Sequence, residues 1–193
     1  MKWLNVCWLL FALTASATDS VAVCFNYGCV SQAQVEFDDG QLSEIGALLA
    51  APRDAAQERQ AIGQAIGRLL GWAGTQSPIA ADRGGNVADG GVSGKMDCID
   101  HSTTTTRLLQ LIERHGWLRY HRVGEIVLRR RFLLFEHYAA QIEEVPTSDA
   151  NSGKSAGQFV VDSWFYDNGQ PAAVMPFARW LAGDDPDDEQ DHG

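Results

Sequence analysis

The chain has 193 residues, a length typical of one domain. Its composition, 45% hydrophobic and 21% charged with 19 glycines and 6 prolines, is typical of a globular protein and excludes a wholly disordered, collagen-like or multi-span membrane chain. The formal net charge of -10 argues against a nucleic-acid partner, because binding to phosphates needs an excess of lysine and arginine.

The first residues have the pattern of a secretory signal peptide. Lys2 gives a short basic start, an almost unbroken apolar run covers residues 3–14, and Ala15-Ser16-Ala17 offers a cleavage site. The apolar run is too short to cross a bilayer core about 30 Å thick. We therefore predict a signal peptide over residues 1–17, a periplasmic or secreted mature chain, and no stable membrane insertion after cleavage. A retained anchor or a buried helix is the alternative.

Export changes both the number of cysteines in the chain and their expected oxidation state. Removal of the signal peptide takes Cys7 with it and leaves Cys24, Cys29 and Cys98. Cys24 and Cys29 flank a short loop that contains Gly28, and outside the cytosol we expect them to form a disulfide. Cys98 is then unpaired, which makes it a candidate reactive or intermolecular thiol. A buried, inert thiol is the alternative.

Two helices are predicted early in the mature chain. One covers residues 41–49. The second begins after Asp54, a good N-cap residue, and continues to about Trp72, since apolar residues recur at helical spacing along it. Residues 72–94 are rich in Gly, Asp and Ser and are predicted to be mostly loop. The acids and glycines at 82–86 and 89–91 could surround a cation, but they lack a calcium-loop signature, so a flexible loop is the preferred interpretation.

A third helix is expected from Asp97 or Cys98 to His115, where Gly116 ends it. The pattern then changes to β-branched and aromatic residues, which predicts strands over 117–123, 126–128, 132–142, 159–166 and 172–175.

Helices followed by strands predict an α+β fold with N-terminal helices packed on an antiparallel sheet. We expect a single domain over residues 18–182. The segment 183–193 carries six acids and no lysine or arginine, so we predict a disordered acidic tail there.

Cys98 lies where the third helix should begin. Unpaired backbone N–H groups and the positive end of the helix dipole favour a thiolate there, and the Cys98 N–H can donate to a developing oxyanion. A thiolate needs a base. His137 is the preferred candidate because a strand positions an imidazole more rigidly than His101, which lies one turn after Cys98 on the same helix start.

Asp162 lies between apolar neighbours in the following strand, where an acid is costly to bury without a donor. If His137 pairs directly opposite Asp162, Ile142 falls opposite Gly157 and residues 143–156 close the hairpin. Opposed side chains are about 5 Å apart, so Asp162 would orient the His137 ring as the third member of a triad. A surface histidine and a turn or surface acid are the plainer alternatives.

Three short motifs carry a family resemblance: Met-Asp-Cys-Ile-Asp-His from Met96, Glu-His-Tyr-Ala from Glu136, and Val-Val-Asp-Ser-Trp from Val160. Together they resemble the transglutaminase-like branch of the papain-type cysteine hydrolases, and in particular the exported bacterial transglutaminase-like cysteine peptidases. The resemblance covers residues 94–180. It implies a papain-like (transglutaminase-like) domain.

The same resemblance implies roles for individual residues. Cys98 would be the nucleophile, His137 the general base and acid, and Asp162 the orienting carboxylate. Some relatives bind calcium beside the nucleophile, so Asp97 and Asp100 are candidate calcium ligands, with helix capping as the alternative role. No other cofactor is expected.

A side-chain donor to the oxyanion is not evident, and Asn86 is the one residue considered for it. The basic run Arg129-Arg130-Arg131 is interpreted as solvating a strand end, with attraction of an anionic substrate or lipid surface as the alternative.

The expected function is an exported cysteine hydrolase that cleaves an amide or peptide bond through a thioester. Its partner would be a peptide or protein substrate, for example a cell-wall peptide. The same site would act as a transglutaminase if an amine replaced water, or as a deamidase if the cleaved amide were a glutamine side chain. Two other classes stay open: a metal-binding site around Asp97, Cys98, Asp100 and His101, and a non-catalytic periplasmic binding protein on the same fold.

Overall fold

A computed structural model of the chain describes residues 19–85, 87–131, 135–146 and 157–186. The predicted signal peptide over residues 1–17, Asn86, most of the segment 143–156 and tail residues 187–193 lie outside the described residues. No helix within the described part of the chain is long and apolar enough to cross a membrane.

The described chain opens with a β-hairpin that was not predicted. Strand β1 (Asp19–Phe25) pairs antiparallel with β2 (Ser31–Phe37). Val21 and Val23 of β1 and Val35 and Phe37 of β2 lie at alternate positions and are buried, which gives the hairpin one apolar face. The predicted disulfide is confirmed: Cys24 and Cys29 are bonded across the end of this hairpin.

The helices are α1 (Asp39–Ala50), α2 (Ala55–Gln76), a short 3-10 helix (Pro78–Ala81), α3 (Cys98–Arg114) and α4 (Phe177–Ala182). Helices α1, α2 and α3 were predicted, and each begins after an aspartate whose side chain accepts a backbone N–H. Helix α2 runs one turn beyond the predicted end at Trp72. Helix α4 was not predicted.

The second half of the chain forms a five-stranded antiparallel sheet. Its strands are β3 (His121–Val123), β4 (Val127–Arg131), β5 (Phe135–Glu144), β6 (Gln158–Asp162) and β7 (Ala173–Pro176). They follow the order β3-β5-β6-β7, and β4 also pairs with β5. The predicted α+β class is confirmed.

Two predicted strands were too long, for local reasons. The predicted strand 117–123 is a strand only from His121, because the buried carboxylate of Glu58 accepts the N–H groups of Arg119 and Tyr120 that a neighbouring strand would otherwise take. The predicted strand 159–166 ends at Asp162, since the chain turns immediately afterwards.

Helix α3 packs against both the hairpin and the sheet, so its first residue is held from two sides. Two threonines near its start provide part of that attachment: Thr104 Oγ1 accepts a hydrogen bond from the N–H of Cys24 at 2.9 Å, and Thr105 Oγ1 lies 2.9 Å from Ser163 Oγ. Threonine is a poor helix former, and tertiary contacts of this kind compensate for it.

Candidate functional site

Cys98 is the first residue of α3, and a capping box fixes the helix start around it. Asp97 Oδ1 accepts the N–H groups of Ile99 at 3.0 Å and Asp100 at 2.9 Å, while Asp100 Oδ2 accepts the N–H of Asp97 at 3.1 Å. The Cys98 thiol is free and partly exposed. It therefore combines access to a reagent with the electrostatic field of a helix N-terminus.

The pairing of β5 with β6 differs from the predicted register by two residues. Ile142 lies opposite Phe159 rather than Gly157, so the same pairing, continued, sets Asp162 opposite Ala139. The prediction that His137 lies directly opposite Asp162 was therefore wrong. A shift of two residues keeps side chains on the same sheet face, whereas a shift of one would have reversed them.

Despite this offset, the structure brings His137 and Asp162 into contact. His137 Nε2 lies 2.7 Å from Asp162 Oδ2. The same carboxylate oxygen accepts the indole N–H of Trp180 at 3.1 Å, and Oδ1 accepts the N–H of Trp164 at 3.2 Å. Asp162 is only 2% exposed, so each of these donors compensates for the cost of burying it.

The His137 ring and the Cys98 thiol line the same pocket, and Cys98 Sγ lies 3.9 Å from the carbonyl oxygen of Glu136, the residue before His137. Burial lowers the pKa of His137, but the hydrogen bonds and charges of Asp162 and Cys98 outweigh burial and raise this pKa to about 9. Because Asp162 occupies Nε2, Nδ1 is the ring nitrogen left for the thiol. With this pKa the imidazole retains its proton at neutral pH.

Aromatic rings surround the imidazole. The centroid of the His137 ring is 4.9 Å from Trp164, 5.8 Å from Phe165 and 5.9 Å from Trp180. These contacts restrict rotation of the ring and exclude water from its hydrogen bond with Asp162.

Cys98 and His137 line one pocket of about 510 Å³. Several of its walls are apolar or aromatic: Tyr27, Val87, Phe135 and Trp164. Val87 and Phe135 are 79% and 69% exposed, which places large apolar side chains at the surface beside the thiol. A pocket of this size fits a small molecule or part of a peptide.

The basic run contributes mainly to the fold. Arg129 is 6% exposed, donates to the carbonyl oxygens of Trp180 at 2.8 Å and Asp184 at 3.2 Å, and lies 3.5 Å from an Asp185 carboxylate oxygen. Arg130 pairs with Glu136 at 2.8 Å. Arg129 therefore holds Trp180, and through it Asp162.

The first residues of the acidic tail lie beside the same strand. Arg131 donates to the carbonyl oxygen of Gly183 at 3.3 Å and lines the pocket together with Asp185.

His101, the other histidine considered as a base, does not serve the thiol. It is 3% exposed, with Nδ1 2.9 Å from Ser163 Oγ and Nε2 3.0 Å from Asp82 Oδ2. Asp82 is fully buried, so its carboxylate acts inside the protein and not in a surface cation loop.

The disulfide loop lies against the start of α3. Asn26, Tyr27, Gly28 and Cys29 all have left-handed backbone conformations, with φ of 68°, 66°, 68° and 56°. Successive backbone N–H groups of a turn can point into one concave surface that binds anions.

Here the bound anions are the two acids that flank Cys98. Asp100 accepts the N–H groups of Tyr27 at 2.8 Å and Cys29 at 2.6 Å, and Asp97 Oδ2 accepts that of Gly28 at 2.9 Å. Burial and the charge of Asp97 raise the pKa of Asp100 to about 6, although these N–H groups act in the opposite direction.

The oxygens of the two candidate calcium ligands are thus used by backbone donors. Within the described part of the chain, the one group of three close ligand-type side chains is Cys24, Cys29 and Asp100, and both of its sulfurs are in the disulfide. Asn86, considered as an oxyanion donor, lies outside the described residues.

Comparison of the chain with protein-family models, with curated proteins and with solved structures found no match.

Proposed function

We propose that this protein is an exported cysteine hydrolase that cleaves an amide or peptide bond through a thioester intermediate. Cys98 is the nucleophile, His137 the general acid and base, and Asp162 the residue that orients His137. The observation that carries the proposal is the His137 ring, which bonds Asp162 at 2.7 Å through one nitrogen and lines, together with the Cys98 thiol, a pocket open to solvent.

Two further features support the finer parts of this proposal. A cysteine at a helix start, a histidine on one strand and an aspartate at the end of the next support a papain-like (transglutaminase-like) class for the α+β fold. The disulfide and the signal-like N-terminus support a periplasmic or secreted location.

In the first chemical step, the Cys98 thiolate attacks the carbonyl carbon of the scissile amide. Negative charge develops on the carbonyl oxygen, and the N–H of Cys98 is placed to donate to it, since the first N–H of a helix has no intrahelical partner. His137 then gives its proton to the leaving nitrogen as the C–N bond breaks. The acyl group remains on sulfur as a thioester.

In the second step, neutral His137 removes a proton from a water molecule that attacks the thioester. The C–S bond breaks, the acid product leaves, and the proton taken from water remains on the imidazole beside the restored thiolate. If an amine attacks in place of water, the same site carries out acyl transfer. The apolar walls formed by Tyr27, Phe135 and Trp164 favour a peptide with an apolar side chain near the scissile bond.

The proposal is tested by trapping the acyl-enzyme. The folded chain is incubated with short peptide thioesters that carry apolar side chains, and intact mass and peptide mapping follow acylation. We expect a Cys98 adduct in the native chain that clears with time, no adduct in Cys98→Ala, and slower clearance in His137→Gln. Added primary amines would reveal the acyl-transfer outcome.

Two results would contradict the proposal. Equal acylation of Cys98→Ala would show that another residue reacts. A stable, stoichiometric adduct that water and amines never release would favour a non-catalytic binding protein with a reactive thiol.

A further inference from the structure

A second group of histidine, acid and hydroxyl side chains lies directly behind the cysteine site. His101 joins Asp82 on one side and Ser163 on the other, at 3.0 Å and 2.9 Å, and Ser163 Oγ also lies 2.9 Å from Thr105 Oγ1. Asp82, His101 and Ser163 are 0%, 3% and 5% exposed. The residue types match a serine-hydrolase triad, but a substrate has no access to side chains buried to this extent, so the group is not a second active site.

Asp82, at one end of this network, contacts one residue before Cys98 and one residue after it. Asp82 Oδ1 accepts the N–H of Met96, two residues before Cys98, at 2.9 Å. Asp82 Oδ2 meets His101, which lies three residues after Cys98. A single buried carboxylate therefore contacts the backbone before the nucleophile and a side chain one helical turn after it.

The other end of the network fixes the segment that carries the orienting acid. Ser163 directly follows Asp162 and precedes Trp164, which lines the pocket. The loop that contains Asp82 packs against the segment that follows Asp162, and the N–H of Gly85 donates to the carbonyl oxygen of Trp164 at 2.8 Å.

Gly84 shows how close this approach is. A β-carbon at Gly84 would lie 2.4 Å from the carbonyl oxygen of Phe165, so any side chain there would force the two segments apart.

We propose that Asp82, His101 and Ser163 are positioning residues that hold Asp162 in register with Cys98. The inference rests on the proposed function, because it concerns the geometry of the same site. It assigns a distinct purpose to residues that touch neither substrate nor thiol. They join the start of α3 to the end of β6, the two elements that supply the nucleophile and the acid.

The test uses the full mature chain with Ser163→Ala, which removes the central hydroxyl, and Asp82→Asn, which nearly preserves shape. The His137 ring is followed by NMR as a function of pH, a measurement that requires no turnover. If the network positions Asp162, both variants loosen the contact between Asp162 and His137, and the pKa of His137 falls by about one pH unit from about 9 toward 6.5.

A matched control is available in Glu58→Gln. Glu58 and His121 form another fully buried acid–histidine pair, 2.8 Å apart, and His121 belongs to β3 at the edge of the sheet. This variant should lose stability and leave the pKa of His137 unchanged.

An unchanged pKa of His137 in both Ser163→Ala and Asp82→Asn would overturn the inference, and so would an equal fall in Glu58→Gln. If Ser163→Ala does not fold, Asp82→Asn decides together with Thr105→Val, a milder change that removes the hydroxyl in contact with Ser163 Oγ. If the variants show the expected pKa changes but Cys98 of the native chain is not acylated by the peptide thioesters, the proposed function is contradicted and the positioning role stands.

Discussion

His137 reaches Asp162 diagonally across two strands. The ring nitrogen and the carboxylate oxygen are 2.7 Å apart, although the pairing of β5 with β6 sets Asp162 opposite Ala139. Diagonal neighbours on a sheet lie farther apart than opposed ones and meet through long or aromatic side chains. The contact therefore depends on the rotamer of His137, which Trp164 and Trp180 restrict.

The first prediction concerns the reactivity of Cys24, Cys29 and Cys98. Iodoacetamide should label Cys98 in the folded protein near neutral pH, whereas Cys24 and Cys29 should be labelled only after reduction. His137→Gln removes the imidazolium beside the thiol, so labelling of Cys98 should slow by about tenfold or more. Peptide mapping of timed reactions gives both results.

His115→Gln is the matched control for that experiment. His115 also pairs with an aspartate, Asp19, at 2.7 Å, but at the opposite end of α3. The labelling rate of Cys98 should not change in this variant. A folded protein whose Cys98 resists iodoacetamide would contradict the thiolate.

The second prediction concerns pH. The pKa of His137 in the folded protein, about 9, exceeds its ordinary 6.5, so folding favours the protonated ring. The resulting stabilisation is complete below pH 6.5 and is lost as the pH rises through 9. Asp162→Asn should lower the pKa of His137 in an NMR titration and reduce the loss of unfolding free energy across this range. Asp19→Asn should have neither effect. If the pKa of His137 is unchanged in Asp162→Asn, the pairing of His137 with Asp162 is refuted.

The third prediction concerns the indole of Trp180. Trp180→Phe keeps an aromatic ring next to His137 but removes the N–H that Asp162 accepts. A lost hydrogen bond of this kind is worth about 1 kcal/mol, so acylation of Cys98 should slow by roughly fivefold while the fold persists. Trp117→Phe, at a half-buried tryptophan stacked on His115, is the control. Equal acylation rates in native chain and Trp180→Phe would show that the indole does not act through Asp162.

The fourth prediction tests the acid-sensitive part of the fold. Burial raises the pKa of Glu58, but hydrogen bonds from His121, Arg119 and Tyr120 lower it by more. The pKa of Glu58 is therefore below its ordinary value of 4.5. The carboxylate thus stabilises the fold above pH 4.5, and this contribution is lost as the pH falls below that value. Glu58→Gln leaves buried donors without an acceptor and should cost about 1–3 kcal/mol at neutral pH.

Urea unfolding at several pH values measures this contribution. The difference between the native chain and Glu58→Gln should shrink in acid, because the native carboxyl is then protonated as well. A difference that is constant with pH would show that the charge of Glu58 contributes nothing.

Much of the helical part of the fold was predictable because its signals are local. Asp54 and Asp97 cap helices where the apolar periodicity begins, and Gly116 has the positive φ of 70° that ends α3. The hairpin of β1 and β2 was missed because its turn is four left-handed residues closed by a disulfide and not a common two-residue turn.

The site was predictable only where chemistry singles out one residue. An unpaired cysteine at a helix start and an acid among apolar strand residues pointed to Cys98 and Asp162. Their surroundings depend on tertiary packing. Trp180 belongs to a six-residue helix too short to show a period, and the link from His101 to Ser163 joins side chains 62 residues apart.

The disulfide next to Cys98 creates a practical conflict. If Cys98 acts as proposed, a reductant that keeps its thiol free would also reduce the Cys24–Cys29 disulfide, which closes the loop whose N–H groups hold Asp97 and Asp100. The proposed site therefore requires a redox environment that keeps the Cys24–Cys29 disulfide oxidised and leaves the thiol of Cys98 reduced.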